Sequence, residues 1–103
     1  MTDDTIDDYS SRVLDLVDAI PPGQVMSYGD VAEYLGAGGP RQVGRVLSRF
    51  GGGACWWRVI HADGTPAPGH DAVALGHYLA EGTPLRSDQP VRVDLGRARW
   101  PGR

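Results

Sequence analysis

The chain has 103 residues, which is enough for one hydrophobic core and too few for two, so residues 1–103 are predicted to form a single domain. No run of about eighteen apolar residues is present, and the N-terminus is acidic, so neither a membrane-spanning helix nor a secretory signal peptide is expected. A single cysteine excludes an internal disulfide and is consistent with a cytoplasmic location.

The net charge of −3 is unusual for a protein that binds nucleic acid, but the charges are unevenly distributed. Residues 1–18 contain six aspartates and one arginine, whereas residues 40–58 contain four arginines and no acidic residue. Because binding depends on the local field at the contact surface, the second segment is a candidate DNA-binding surface. Charge alone is equally consistent with an ordinary solvated arginine face.

Two helices are predicted in the first third of the chain. Apolar residues recur at helical spacing over 4–20 and indicate a first helix, which Pro21 and the residues after it end. The pair Ser27 and Asp30 has the spacing of a capping box and predicts a second helix over about 28–35.

A third helix is predicted over about 40–50, because a glycine-rich turn precedes it and a proline suits its first turn. One of its faces is apolar, and the opposite face carries arginines at a spacing of four: Arg41, Arg45 and Arg49. Gly44 and Ser48 have small side chains next to these arginines, so that the helix backbone on this face can approach a duplex closely. Helices two and three, with the short turn between them, form a candidate helix-turn-helix.

The second half of the chain predicts a small β wing and one more helix. Residues 57–61 have strand character and precede a turn at 62–65, an arrangement typical of a wing after a helix-turn-helix. A last helix is expected over 70–81, ended by Gly82, with its buried side chains expected to be Val73, Leu75 or Ala74, Tyr78 and Leu79. The predicted fold class is therefore mainly α with a small β wing, a winged helix-turn-helix.

Residues 54–60 read Ala-Cys-Trp-Trp-Arg-Val-Ile and are similar to the Pro-Cys-His-Arg-Val active-site segment of the O6-alkylguanine-DNA alkyltransferases. Trp56 falls at the position of that family's alkyl-accepting cysteine, and Trp57 at the position of the histidine that activates it. Four further segments, at 22–32, 40–47, 58–64 and 79–82, are similar to motifs of the same family and occur in the same order. The chain resembles the alkyltransferase-like proteins, which replace the same cysteine with tryptophan.

The resemblance implies a helix-turn-helix that enters the minor groove of DNA and extrudes a damaged base. It implies that Arg41 fills the space left by the extruded base and that Tyr28 helps to rotate the nucleotide outward. The residues that it places around the extruded base are Tyr28, Trp56, Trp57, Arg58 and Val59. The residues that it places against the DNA are Ser27, Arg41, Gln42, Gly44, Arg45 and Arg49.

No catalytic residue is expected, because an indole cannot act as the nucleophile that a thiolate supplies. Cys55 is displaced by one residue from the motif position and is interpreted as a structural residue. No metal or other cofactor is expected, since the spacing of His61, His70 and His77 is not that of a metal site. The expected partners are double-stranded DNA containing alkylated guanine and proteins of nucleotide excision repair. The protein is expected to be a monomer and to be located in the cytoplasm, associated with the nucleoid.

Two other functions are consistent with parts of the sequence. An active alkyltransferase would have to use Cys55 in place of the missing cysteine and histidine. A winged helix-turn-helix transcription regulator would have the same elements, although such proteins usually dimerise and bind the major groove.

Overall fold

The computed structural model describes residues 6–103. Its elements in chain order are α1 (Asp8–Ala19), β1 (Met26–Ser27), α2 (Tyr28–Leu35), α3 (Pro40–Phe50), two 3-10 turns (Gly51–Gly53 and Trp56–Arg58), β2 (Val59–Ile60), α4 (Asp71–Glu81), β3 (Leu85–Asp88), β4 (Val91–Val93) and α5 (Leu95–Ala98). The predicted class, mainly helical with a small amount of strand, is confirmed. In this described part of the chain, no helix has the length and apolar character needed to cross a membrane.

The first helix is shorter than predicted. It begins at Asp8, because the Asp7 carboxylate accepts a hydrogen bond of 2.7 Å from the backbone N–H of Ser10 and caps the helix. It ends at Ala19, before Pro21. Residues 4 and 5 of the predicted helix lie outside the described residues.

Helices α2 and α3 confirm the predicted helix-turn-helix and its caps. The side chain of Ser27 accepts a hydrogen bond from the backbone N–H of Asp30, whose carboxylate in turn accepts the N–H of Ser27. Gly36 ends α2 at φ 69°, a left-handed conformation that favours glycine. These helices pack on α1 around fully buried valines: Val13, Val17, Val31 and Val43.

The predicted wing is wrong in its location. Residues 56–58 form a 3-10 turn instead of a strand, and β2 is only Val59–Ile60, paired in parallel with β1. The turn at 62–65 is present, because the N–H of His61 donates to the carbonyl of Thr65 at 2.9 Å. Among the described residues, no strand after this turn pairs with β2. The antiparallel pair among the described residues is β3 with β4, later in the chain.

Helix α4 runs over Asp71–Glu81 and is capped by Gly82, close to the prediction. Ala74 and Tyr78 are fully buried, as expected of its inner face. Val73 and Leu79 are 57% and 65% exposed, so their predicted burial is wrong; they lie on the outer face, and α4 packs through one narrow stripe. It is not the last helix, because α5 follows the β3–β4 hairpin.

The C-terminal elements form a second buried cluster beside the helix-turn-helix. It consists of Val25, Ile60, Ala74, Tyr78, Val91, Val93 and Ala98. Val25 connects the N-terminal and C-terminal parts of the fold, because its N–H donates to the carbonyl of Ala98 and its carbonyl accepts from the N–H of Trp100. This packing places the 3-10 turn at 56–58 beside α2 and α3, and so positions the candidate site.

Candidate nucleic-acid interface

A cavity of about 730 Å³ opens beside the helix-turn-helix. Its walls come from the start of α2, one side of α3 from Pro40 to Ser48, the two 3-10 turns, the turn after β2 and the loop that precedes α4. The described residues that line it include two aromatic residues, Tyr28 and Trp56, and none that is acidic. Tyr28 belongs to the first buried cluster and Trp56 packs on the second, so both parts of the fold are needed to form the cavity.

Tyr28 forms one wall of the cavity at the first position of α2. The residue is only 9% exposed, and burial raises the pKa of its hydroxyl, which therefore keeps its proton at neutral pH and can donate a hydrogen bond. A Cβ at Gly44 would lie 3.9 Å from the Tyr28 ring, so a large side chain at that position of α3 would meet the ring. The imidazole of His61 lies against the Tyr28 ring, with the ring centroids 4.8 Å apart.

Trp56 forms another part of the wall and is half-buried. Its indole lies edge-on to Trp57, with ring centroids 5.8 Å apart. The imidazole of His70 lies 5.3 Å from the Trp56 indole and lines the same cavity. The residue at the motif's nucleophile position is thus an aromatic surface of the cavity.

Trp57, predicted to line the lesion pocket, is not among the residues that line this cavity. Its ring stacks on the imidazole of His77, with the centroids 3.5 Å apart and the planes 4° from parallel. Its indole N–H donates to Glu81 at 2.9 Å, and its carbonyl accepts a 2.6 Å hydrogen bond from the Tyr78 hydroxyl. The 3-10 turn causes this difference, because it directs Trp57 towards α4 while Trp56 remains at the cavity.

Arg58 and Val59, also predicted to line the lesion pocket, are likewise not among the residues that line the cavity. The Arg58 guanidinium forms two hydrogen bonds with the Glu81 carboxylate, at 3.1 and 2.7 Å, and donates a third to the carbonyl of Ile20 at 2.8 Å. Burial alone would raise the pKa of Glu81, but hydrogen bonds from Arg58, Gly23 and Trp57 outweigh burial and lower it. Val59 is fully buried in the core. Arg58 is therefore a structural cation.

Cys55 does not line the cavity. The residue is half-buried against the first cluster, and its backbone N–H donates to the Asp18 carboxylate at 3.2 Å. It packs on the first buried cluster, to which α1 contributes several residues. This placement agrees with the interpretation of Cys55 as a structural residue.

The arginine row of α3 is exposed, and its members lie in two different places. Arg41 lines the large cavity, whereas Arg45 and Arg49 line a separate hollow of about 240 Å³ that also includes Asp7. The pKa of Asp7 is lowered mainly by its hydrogen bonds with Ser10 and also by the charge of Arg49. The row therefore supplies one arginine at the cavity and two beyond it.

Two predicted DNA-contact residues have their side chains engaged in helix capping. Ser27 is only 7% exposed, and its hydroxyl oxygen caps α2. The side-chain oxygen of Gln42 accepts the backbone N–H of Gly39 at 3.0 Å, before α3, although Gln42 itself is exposed. Gly44 lies on α3 beside the cavity.

Sequence reasoning missed His61 and His70 as residues of the site. Both line the cavity, yet they lie in a turn and in a loop, and no local periodicity or spacing places them there. His61 follows the motif strand directly, which was the available signal for it. Within residues 6–103, no group of three or more His, Cys, Asp or Glu side chains is arranged to hold a metal ion.

The family model for the DNA-binding domain of 6-O-methylguanine DNA methyltransferase matches residues 8–81, which include α1 to α4 and all the residues that line the cavity. The chain belongs to this family. The resemblance that the motifs around Trp56 indicate is confirmed.

The chain is similar to characterised relatives of several kinds. It is 39% identical over 102 residues to the DNA base-flipping protein of Escherichia coli (strain K12), covering 91% of this chain and 75% of that protein. It is 38% identical over 76 residues to the methylated-DNA–protein-cysteine methyltransferase of Methanothermobacter thermautotrophicus, covering 72% of this chain and 43% of that protein.

A similar fold is found in the crystal structure of S. pombe Atl1 in complex with damaged DNA containing O6-carboxymethylguanine. The TM-score is 0.78 at 26% sequence identity, and the match covers 93% of this chain and 97% of Atl1. The mainly helical architecture with its small strands is therefore that of the alkyltransferase-like proteins.

Proposed function

We propose that this protein recognises O6-alkylguanine in double-stranded DNA, rotates the damaged nucleotide out of the duplex through the minor groove, and holds the base without transferring its alkyl group. The observation that carries the proposal is the aromatic-walled cavity directly beside the arginine row of α3. Its volume of about 730 Å³ lies within the range of about 300–1,000 Å³ typical of small-molecule sites, which leaves room for a purine and its alkyl arm.

The positions of Arg41 and Tyr28 support extrusion of the base. Arg41 lies in the first turn of α3 and at the rim of the cavity, where a guanidinium can occupy the position that the extruded base leaves. Tyr28 lies at the first position of α2 with its hydroxyl protonated, so it can donate to a rotated phosphate. O6 alkylation weakens guanine pairing, so extrusion costs less at a lesion than at intact guanine.

The absence of transfer follows from the residues at the motif position. Trp56 has no nucleophilic group, and Trp57 donates its indole N–H to Glu81, so it offers no base. Cys55 packs on the first buried cluster and is not among the cavity residues. A site that binds an extruded base and leaves it intact is suited to damage recognition.

Binding alone does not restore the base, so the bound lesion must be passed to a repair process. We assign that role to nucleotide excision repair, which removes the damaged segment and needs no chemistry from this protein. One chain supplies the cavity and the arginine row together, which supports action as a monomer on the chromosome in the cytoplasm.

The experiment that tests this function compares two duplexes that differ only in one base, guanine or O6-methylguanine, at fixed salt. We expect tighter binding to the damaged duplex and an increase in 2-aminopurine fluorescence beside the lesion. A reconstituted excision system with and without the protein tests the repair step. Equal affinity for the two duplexes would exclude lesion recognition, and an unchanged excision rate would exclude the assignment to excision repair.

A further inference from the structure

Two imidazoles line the cavity in addition to the aromatic rings. His61 lies against Tyr28, with centroids 4.8 Å apart, and His70 lies against Trp56 at 5.3 Å. Both residues are exposed towards the opening, and neither side chain caps a helix or forms an ion pair in the described structure. Their donor groups are therefore available to a ligand in the cavity.

The described lining of the cavity contains basic side chains and no acidic ones. Its described polar members include a guanidinium, two imidazoles and the hydroxyls of Tyr28 and Ser48, and no carboxylate is among them. The acidic residue near His61 is Asp63, but it does not line the cavity, and its carboxylate already accepts both the N–H and the hydroxyl of Thr65. An imidazole donates at least one N–H in either protonation state, so each of the two rings can donate a hydrogen bond to a group in the cavity.

We infer that His61 and His70 make the cavity selective for guanine adducts whose O6 arm carries a negative charge. This inference rests on the proposed function, because it assigns a substrate class to the same cavity. A carboxylate on the alkyl arm accepts charge-assisted hydrogen bonds from the two imidazoles, and these are stronger than bonds to a neutral oxygen. A neutral arm of the same size fills the same space without this contribution.

The test uses the full chain and three duplexes that differ only at one base: guanine, O6-carboxymethylguanine and O6-carbamoylmethylguanine. The two adducts have the same number of heavy atoms, and only the first carries a charge. We expect the wild-type protein to bind the carboxymethyl duplex about three- to ten-fold tighter than the carbamoylmethyl duplex, from the difference between charged and neutral hydrogen bonds.

His61→Phe and His70→Phe keep a ring against Tyr28 and Trp56 but remove the imidazole donors, so each is expected to lower this ratio. The double variant is expected to lower it further than either single variant. The matched control is His77→Phe, on α4, whose ring stacks on Trp57 and is not among those that line the cavity. It should keep the wild-type ratio.

The relative affinities for the three duplexes distinguish a failure of charge selectivity from a failure of lesion recognition. If both adducts bind more tightly than guanine but equally to each other, the charge selectivity is wrong and lesion recognition stands. If neither adduct binds more tightly than guanine, both are wrong. A double variant at His61 and His70 that keeps the wild-type preference would also overturn the inference.

Discussion

Replacing Arg45 with alanine is expected to reduce the salt dependence of DNA binding while leaving the preference for a damaged base unchanged. Arg45 is exposed on α3 and lines the smaller hollow, away from the large cavity. Its expected contact is therefore with a phosphate, which contributes to affinity for any sequence.

The expected slope follows from the number of arginines available to the DNA backbone. The α3 row offers Arg41, Arg45 and Arg49, and the charge of Arg49 is partly offset by Asp7. Arg58 is not counted, because the Glu81 carboxylate neutralises it. With two to three phosphates neutralised, the slope of log K against log salt is about −2 to −3, and Arg45→Ala makes it less steep by about 0.9.

Fluorescence anisotropy of a labelled duplex, with guanine or O6-methylguanine, between about 50 and 200 mM salt measures this slope. Arg86→Ala is the matched control, because Arg86 is an exposed arginine of β3 and its loss changes the net charge equally. The same change of slope in both variants would show that net charge, and not the α3 row, determines binding. A wild-type slope near zero on damaged DNA would refute the assignment of α3 to the backbone.

Three further results are expected. Incubation with duplex containing O6-methylguanine should leave the mass of the protein unchanged, and a stoichiometric gain on Cys55 would contradict the absence of transfer. Arg41→Ala should abolish the 2-aminopurine fluorescence increase beside the lesion, whereas Arg45→Ala should keep it; an identical effect of both would contradict the role of Arg41. Glu81→Gln should lower the free energy of unfolding by about 3 kcal/mol at neutral pH, because it leaves the Arg58 charge poorly compensated. Since the folded-state pKa of Glu81 is lowered from its ordinary value of 4.5, its contribution to stability is complete above that value and is lost as the pH falls through the folded-state pKa. Urea denaturation at neutral and at strongly acidic pH measures that difference, and a difference that does not shrink in acid would contradict it.

The helices were predictable because their signals are local. The capping pair of Ser27 and Asp30 and the proline at position 40 each act within one turn of the chain, so their geometry does not depend on the rest of the fold. The strand β3 was not predictable, because Leu85 is the one apolar residue in Leu85–Asp88, and a single apolar residue shows no alternation.

The motif segment shows where local signals fail. Trp57, Arg58 and Val59 have strand-forming or neutral propensities, but the turn at 56–58 is stabilised by contacts with α4, more than twenty residues away. The sequence does not reveal that Glu81 is the partner of Arg58, so the arginine was assigned to the pocket on the motif alone. His61 and His70 were missed for the same reason, since only the folded chain brings their loops to the cavity.

The same contacts hold in place the segment that carries Trp56, an aromatic wall of the cavity. The turn that carries Trp56 is held to α4 at successive points: the Tyr78 hydroxyl bonds the carbonyl of Trp57, and Glu81 binds both the Trp57 indole and the Arg58 guanidinium. Burial raises the pKa of Tyr78, so its hydroxyl stays protonated and remains a donor across the physiological range. A wall fixed in this way does not have to be ordered when the base enters, and the ordering cost that would reduce affinity is avoided. Because the proposed function depends on binding an extruded base and not on reacting with it, this preorganisation is the property of the motif segment that the function requires.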